Sequence, residues 1–167
     1  MTYLNRVIST SATHNEVHVG GTFNVSSVFT GTAAVDILID ATAATTSLHA
    51  NFGIDSDQAA TTTLFEDVVV SANGSSVPVV QLNRDSANTS NVTAFSGPTI
   101  TSPGTTLRTV FTPTGVGFAN GGGTGSTDGP TRGGTEWILS AGKKYLFRMV
   151  LAGSGDLGFE LSFYQPV

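Results

Sequence analysis

The stretch Leu48-His49-Ala50-Asn51-Phe52-Gly53-Ile54-Asp55 alternates apolar and polar side chains more regularly than any other part of the chain. Successive side chains of a β-strand point to opposite faces, so this period of two predicts a strand with one buried and one wet face. Residues 157–164 repeat the pattern near the end of the chain. Alternation of this kind is typical of antiparallel sheets.

Short segments with strand character continue in both directions from this stretch. They cover residues 18–29, 34–40, 62–70, 77–82, 92–101, 106–112, 136–139 and 144–151. No window of eleven residues or more has a helical period. Roughly eight to ten strands at about ten-residue spacing predict an all-β fold, an antiparallel sandwich of the jelly-roll type in a single domain.

Glycine, proline and serine mark the predicted breaks between these strands. We expect a bulge or bend at Ser26-Ser27 and a strand end at Gly31. Tight turns are expected at Asn73-Gly74 and at Ser102-Pro103-Gly104. Gly153-Ser154-Gly155 is expected to form a hairpin turn between the last two strands.

The composition supports a globular β protein and excludes several other classes. The 167 residues include 25 Thr and 17 Ser but only 11% charged residues, which argues against disorder and coiled coils. Cysteine is absent, so disulfides and thiolate metal sites are excluded. The net charge is −5 with no basic patch, which argues against direct nucleic-acid binding. No apolar run approaches the roughly 20 residues that cross a membrane, and no export signal is visible, so we expect synthesis in the cytosol.

Two segments differ from the strand pattern. Residues 1–15 have no clear period, and we expect an N-terminal arm that precedes a β-sandwich domain at 16–167. Residues 114–135 hold nine of the twenty glycines, and we expect a long Gly-rich loop within the domain. Loops of this length are usually functional or disordered.

None of the polar clusters has the spacing of a known catalytic or metal site. His14 and His18 flank Glu16, and the neighbouring valines and glycines favour extended structure, in which residues i and i+4 lie about 13 Å apart. Asp55/Asp57 and Glu66/Asp67 are interpreted as solvated charges, and Asp85 completes no calcium-loop signature with them. No serine occupies a nucleophile elbow. We therefore expect no enzymatic activity, no cofactor and no metal.

Two further residues call for a structural interpretation. Trp137, the only tryptophan, suits either a sugar-stacking platform or a buried position in the core or a subunit interface, and the adjacent Ile138 and Leu139 favour burial. Arg148 lies within an apolar strand, and we expect it to pair with Glu160 across the last hairpin.

Three segments resemble a known family of proteins. They are residues 13–23 (THNEVHVGGTF) with 36–39 (DILI), residues 132–139 (RGGTEWIL) with 144–148 (KYLFR), and residues 158–164 (GFELSFY). Together they resemble small structural proteins of tailed phages and prophages, over most of the chain from about residue 13 onward. The resemblance implies a capsid decoration (cement) protein, an all-β, jelly-roll-like subunit that forms a homotrimer on the outer capsid surface of the virion. It supplies no catalytic residues.

The same resemblance implies the major capsid protein as the partner, with no membrane involved. Arms and loops that become ordered on binding enlarge a contact area, so the N-terminal arm and the Gly-rich loop are the two expected contact segments. The candidate contact residues are Tyr3, Leu4, Arg6, Phe118, Arg132 and Trp137. The alternative is a receptor- or carbohydrate-binding β-sandwich module of a phage tail.

Overall fold

A computed structural model describes residues 12–113 and 136–165 of the chain. Within these residues one helix, α1 (Ala12–Val19), precedes eleven strands. The strands are β1 (Thr22–Asp40), β2 (Leu48–Ser56), β3 (Ala60–Glu66), β4 (Val69–Ala72), β5 (Ser75–Val77), β6 (Val79–Gln81), β7 (Thr93–Ser96), β8 (Thr99–Ser102), β9 (Thr105–Thr112), β10 (Trp137–Leu139) and β11 (Lys144–Tyr164). The all-β class predicted from the sequence is confirmed. No helix in the described ranges is long and apolar enough to cross a membrane.

The two longest strands form the centre of the fold. β1 and β11 pair antiparallel from Thr22 opposite Tyr164 to Asp40 opposite Lys144. β2 pairs with the second half of β11, and β10 pairs with the other edge of β2. β3 pairs with the first half of β11, and β9 pairs with the other edge of β3. On the other side, β6 pairs with the first half of β1, whereas β7 and then β5 join its second half.

This hydrogen-bonded sheet folds back on itself to form two layers. The first layer contains β10, β2, the second half of β11, the first half of β1, and β6. The second layer contains β9, β3, the first half of β11, the second half of β1, β7 and β5. Phe147 and Phe159 are twelve residues apart on β11, about 40 Å in a straight strand, yet their ring centroids lie 5.2 Å apart. β11 therefore bends sharply and contributes to both layers.

Glycines lie where the two central strands bend. The β1–β11 register shifts between Phe29 and Ala34, and Gly31 between them has φ = 61°, a left-handed conformation that suits glycine. The bulge predicted at Ser26-Ser27 is wrong, because both residues keep a regular register, and β1 continues through Gly31. The hairpin turn predicted at Gly153-Ser154-Gly155 is also wrong, since these residues lie inside β11.

The hydrophobic core lies between the two layers. The predicted inward faces are confirmed at Val35, Ile37 and Ile39 of β1 and at Leu48, Ala50 and Ile54 of β2, all of which are buried. The rings of Phe52 and Phe147 meet edge to face with centroids 4.9 Å apart across the layers. Large aromatic side chains from both layers thus hold the sandwich together.

A small second sheet covers part of the outer face of the second layer. β4 pairs with β8, and a second apolar cluster of Leu38, Val68 and Leu146 is buried beneath this pair. Two-residue connections follow β4 and β8 where turns are predicted at Asn73-Gly74 and Ser102-Pro103-Gly104, but neither closes a hairpin. Each leads the chain from the small sheet back to the main sheet, because β5 pairs with β7 and β9 pairs with β3.

Candidate interaction surfaces

Trp137 faces the interior of the sandwich. It lies on β10 opposite Ala50, which is fully buried, and its half-buried ring packs against the core. Its indole nitrogen is buried and has no hydrogen-bond partner among the described residues. Of the two interpretations of Trp137, the structure therefore shows packing rather than an outward platform.

The remaining predicted contact residues lie outside the described part of the chain. They are Tyr3, Leu4, Arg6, Phe118 and Arg132. The same applies to the Gly-rich segment 114–135 and to the first eleven residues of the predicted arm. The last four residues of that arm, 12–15, belong to α1.

The extended structure predicted around His14, Glu16 and His18 is wrong. These residues lie in α1, which ends in a Schellman motif: the Gly21 N–H donates to the Glu16 carbonyl at 2.8 Å, and the Gly20 N–H donates to the Val17 carbonyl at 3.1 Å. Gly20 has φ = 78°, as the residue after such a helix requires. The Gly20-Gly21 pair is thus a helix stop, not a strand element.

Tyr164, His49 and Ile138 form a cross-strand row on the outer face of the first layer. The rings of His49 and Tyr164 stack with centroids 4.7 Å apart, and His49 Nδ1 lies 3.4 Å from Glu136 Oε1. Burial and the nearby Glu136 carboxylate raise the pKa of Tyr164 to about 12. Together these contacts attach the start of β10 to the sheet.

Arg148 pairs with Asp36 and not with Glu160. Its Nε and Nη2 atoms donate to the two Asp36 carboxylate oxygens at 2.8 and 3.0 Å, because Arg148 and Asp36 are register partners on β11 and β1. The predicted pairing with Glu160 is wrong, since Glu160 lies beyond the bend in the other layer and accepts a hydrogen bond from Asn24.

Three of the four carboxylates, Glu66, Asp67 and Asp57, have structural partners. Glu66 accepts a hydrogen bond from the Tyr145 hydroxyl at 3.0 Å and lies 2.8 Å from Lys143 Nζ, which also contacts Asp67. Asp57 accepts a hydrogen bond from the Asp156 N–H. In residues 12–113 and 136–165, no three His, Asp or Glu side chains are arranged to hold a metal ion.

An exposed row crosses the outer face of the second layer beyond the small β4–β8 sheet. Register places Phe111, Thr61, Val150 and Ala34 side by side on β9, β3, β11 and β1. Phe111 is 65% exposed and Val150 is 46% exposed, although both lie in regular strands. We call these four residues the second-layer row.

The second-layer row could not be identified from the sequence pattern. Alternation separates the two faces of a strand but does not show which face another part of the chain will cover. Leu38 and Leu146 lie on the same outer face, and only the β4–β8 pair distinguishes their buried positions from the exposed row.

Comparison of the chain with protein-family models, curated proteins and solved structures finds no match.

Proposed function

We propose that this chain is a capsid decoration (cement) protein of a tailed phage that binds the outer surface of the head and stabilises contacts between capsomers of the major capsid protein. The observation that carries the proposal is the second-layer row, where a large aromatic and a valine are exposed on a regular sheet face. Exposed apolar side chains that lie together on a sheet favour contact with another protein surface. The resemblance of the sequence to phage decoration proteins is the reason for proposing that this other surface belongs to the major capsid protein.

The rest of the molecule suits a protein that acts by adhesion. The outer face of the second layer is held by cross-strand pairs such as Arg148–Asp36, so it presents a preformed surface. Preformed surfaces lose little conformational entropy on binding. A homotrimer would present three such surfaces and would convert three weak contacts into one strong attachment.

The test uses capsids that lack the decoration protein. Purified protein is mixed with expanded capsids of the parent phage, and bound protein is measured by co-sedimentation. We expect saturable binding, a homotrimer by size-exclusion chromatography with light scattering, and capsids that resist heat better when decorated. A protein that is monomeric at micromolar concentration and does not bind expanded capsids would contradict the proposal.

Variants of the second-layer row locate the contact. Phe111→Ser with Val150→Ser should weaken capsid binding without unfolding the protein, because both side chains are largely exposed. Ile138→Ser is the matched control, since Ile138 is 64% exposed but lies on the outer face of the other layer. Equal loss of binding in the two variants would show that the second-layer row is not the contact.

A further inference from the structure

A cleft of about 590 Å³ opens beside the start of β1, on a part of the molecule separate from the second-layer row. The loop between β6 and β7 forms one wall, the turn between β1 and β2 forms another, and Gln165 after β11 closes it. We call this the loop cleft. Its lining residues are Gly20, Gly21, Phe23, Thr45, Thr46, Ala87, Asn88, Thr89, Asn91 and Gln165. Its volume lies within the range of small-molecule sites.

The wall formed by the β6–β7 loop is fixed before any ligand binds. The Asn83 side-chain amide donates to the His18 carbonyl at 3.0 Å, and the Asn88 amide donates to the Val19 carbonyl at 3.1 Å. The Gln81 amide donates to the Gly20 carbonyl at 2.7 Å. These bonds attach the loop to the end of α1, so a ligand would bind without the cost of ordering the loop.

The lining combines polar and apolar surface and carries no ionisable side chain. Six of its ten residues carry an amide or a hydroxyl, and none is Asp, Glu, Lys, Arg or His. Thr45, Thr46 and Asn91 are exposed, and among the described residues their side chains make no hydrogen bond. Several donors and acceptors therefore converge on the cleft without partners from the described structure.

This lining selects one class of ligand. A charged ligand would find no counter-charge, and an apolar ligand would leave amides and hydroxyls unpaired, which is costly. A sugar hydroxyl both donates and accepts, as threonine hydroxyls and asparagine amides do together. We propose that the loop cleft binds a short neutral saccharide. This proposal is independent of capsid binding, because it involves different residues on a different part of the molecule.

A smaller recess adjoins the loop cleft. It measures about 290 Å³ and shares Phe23, Asn88 and Thr89 with the loop cleft. Its lining is also free of ionisable side chains. The two spaces provide adjacent sites along one wall, which suits a ligand of more than one sugar unit.

The test screens the full-length protein on an array of neutral and acidic oligosaccharides and measures the best ligand by calorimetry as a soluble oligosaccharide. We expect neutral oligosaccharides to bind and Thr46→Ala with Asn91→Ala to weaken binding by about tenfold or more. Ser26→Ala is the matched control, since Ser26 is exposed on β1 away from the cleft.

The outcomes separate the proposal from its alternatives. Thermal unfolding should be unchanged in both variants, because all three side chains are exposed. Three results would overturn the saccharide site. The array could retain only acidic oligosaccharides or none at all, or Thr46→Ala with Asn91→Ala could leave binding intact. None of these results bears on whether the protein binds capsids.

Discussion

At the scale of single residues, the position of Arg148 shows how register determines electrostatics. Its fork-shaped contact with Asp36 spans the two central strands on the outer face of the second layer. The hydrogen bond from Arg148 to Asp36 raises the pKa of the guanidinium further, so the guanidinium stays charged at all ordinary pH values. Both side chains are partly exposed, and solvent limits what the pair contributes to stability.

A double-mutant cycle tests this pairing. Arg148→Gln combined with Asp36→Asn should reveal a coupling free energy of about 0.5–1 kcal/mol in urea unfolding, as expected for a well-aligned pair near the surface. Arg148→Gln combined with Glu160→Gln is the control and should show no coupling, because Glu160 lies in the other layer. Coupling to Glu160 instead of Asp36 would contradict the observed register.

Because of two tyrosines in the described residues, Tyr145 and Tyr164, we expect the folded state to lose stability at alkaline pH. Burial, followed by the Glu66 carboxylate, raises the pKa of Tyr145 to about 12, and burial with Glu136 does the same for Tyr164. An unfolded tyrosine has a pKa of about 10. The folded state therefore holds these protons more tightly, and this contribution to stability is complete below about pH 10 and is lost as the pH rises through about 12.

Spectrophotometric titration of tyrosinate measures this effect. In the native protein, Tyr145 and Tyr164 should ionise about two pH units above the tyrosines of the unfolded chain. Their absorbance changes are assigned by their loss in Tyr145→Phe and Tyr164→Phe. Thermal midpoints should fall over the same interval. Ionisation of both residues near pH 10 with the fold intact would contradict the burial seen here.

At the scale of elements, glycine decides where the helix and the turns end. Gly20 stops α1 with φ = 78°, and a Cβ on it would collide with the Ser86 side chain of the β6–β7 loop. Gly142 has nearly the same conformation, φ = 79°, but nothing within 4 Å of the added carbon. The two positions therefore separate backbone strain from steric crowding.

Alanine at each position should give a graded result. Gly142→Ala should cost about 1 kcal/mol of unfolding free energy, which is the cost of a left-handed conformation with a side chain. Gly20→Ala should cost more and should also displace the β6–β7 loop, visible as amide shift changes around Ser86 and Asn88 in NMR spectra. Equal losses in the two variants would show that contact with Ser86 is unimportant.

At the scale of the whole molecule, stability depends on the contact between the two layers. Phe147 is 1% exposed, and its ring meets Phe52 of β2 and Phe159 beyond the bend of its own strand. Phe65 lies in the second layer as well, but it is half-buried beneath the small β4–β8 sheet. Phe147 therefore joins the two layers, whereas Phe65 packs beneath the small β4–β8 sheet.

Phe147→Ala should therefore lower the free energy of unfolding by about 3–5 kcal/mol, and Phe65→Ala should lower it by less. Urea unfolding followed by Trp137 fluorescence and by far-ultraviolet circular dichroism measures both variants, and the two signals should coincide if the layers unfold together. A larger loss for Phe65→Ala would place the main core under the small sheet instead.

The secondary-structure class and many of the buried faces could be predicted from the sequence alone. The period of two at Leu48–Ser56 and at residues 157–164 is a local property, since it follows from the geometry of one strand. The sequence pattern did not distinguish a hairpin from a bend at residues 153–155, because glycines favour both. The same pattern did not reveal α1, because eight residues are too few to show a helical period.

Strand pairing and the exposure of the outer faces depend instead on how distant parts of the chain pack in three dimensions. The partner of Arg148, the covered position of Leu146 and the exposed position of Phe111 depend on segments more than forty residues away in the chain. Local alternation does not show which strands pair, because hydrogen bonds between strands are made by backbone groups that nearly all residues share. The exposed second-layer row and the loop cleft therefore emerge only when the sheet folds into two layers.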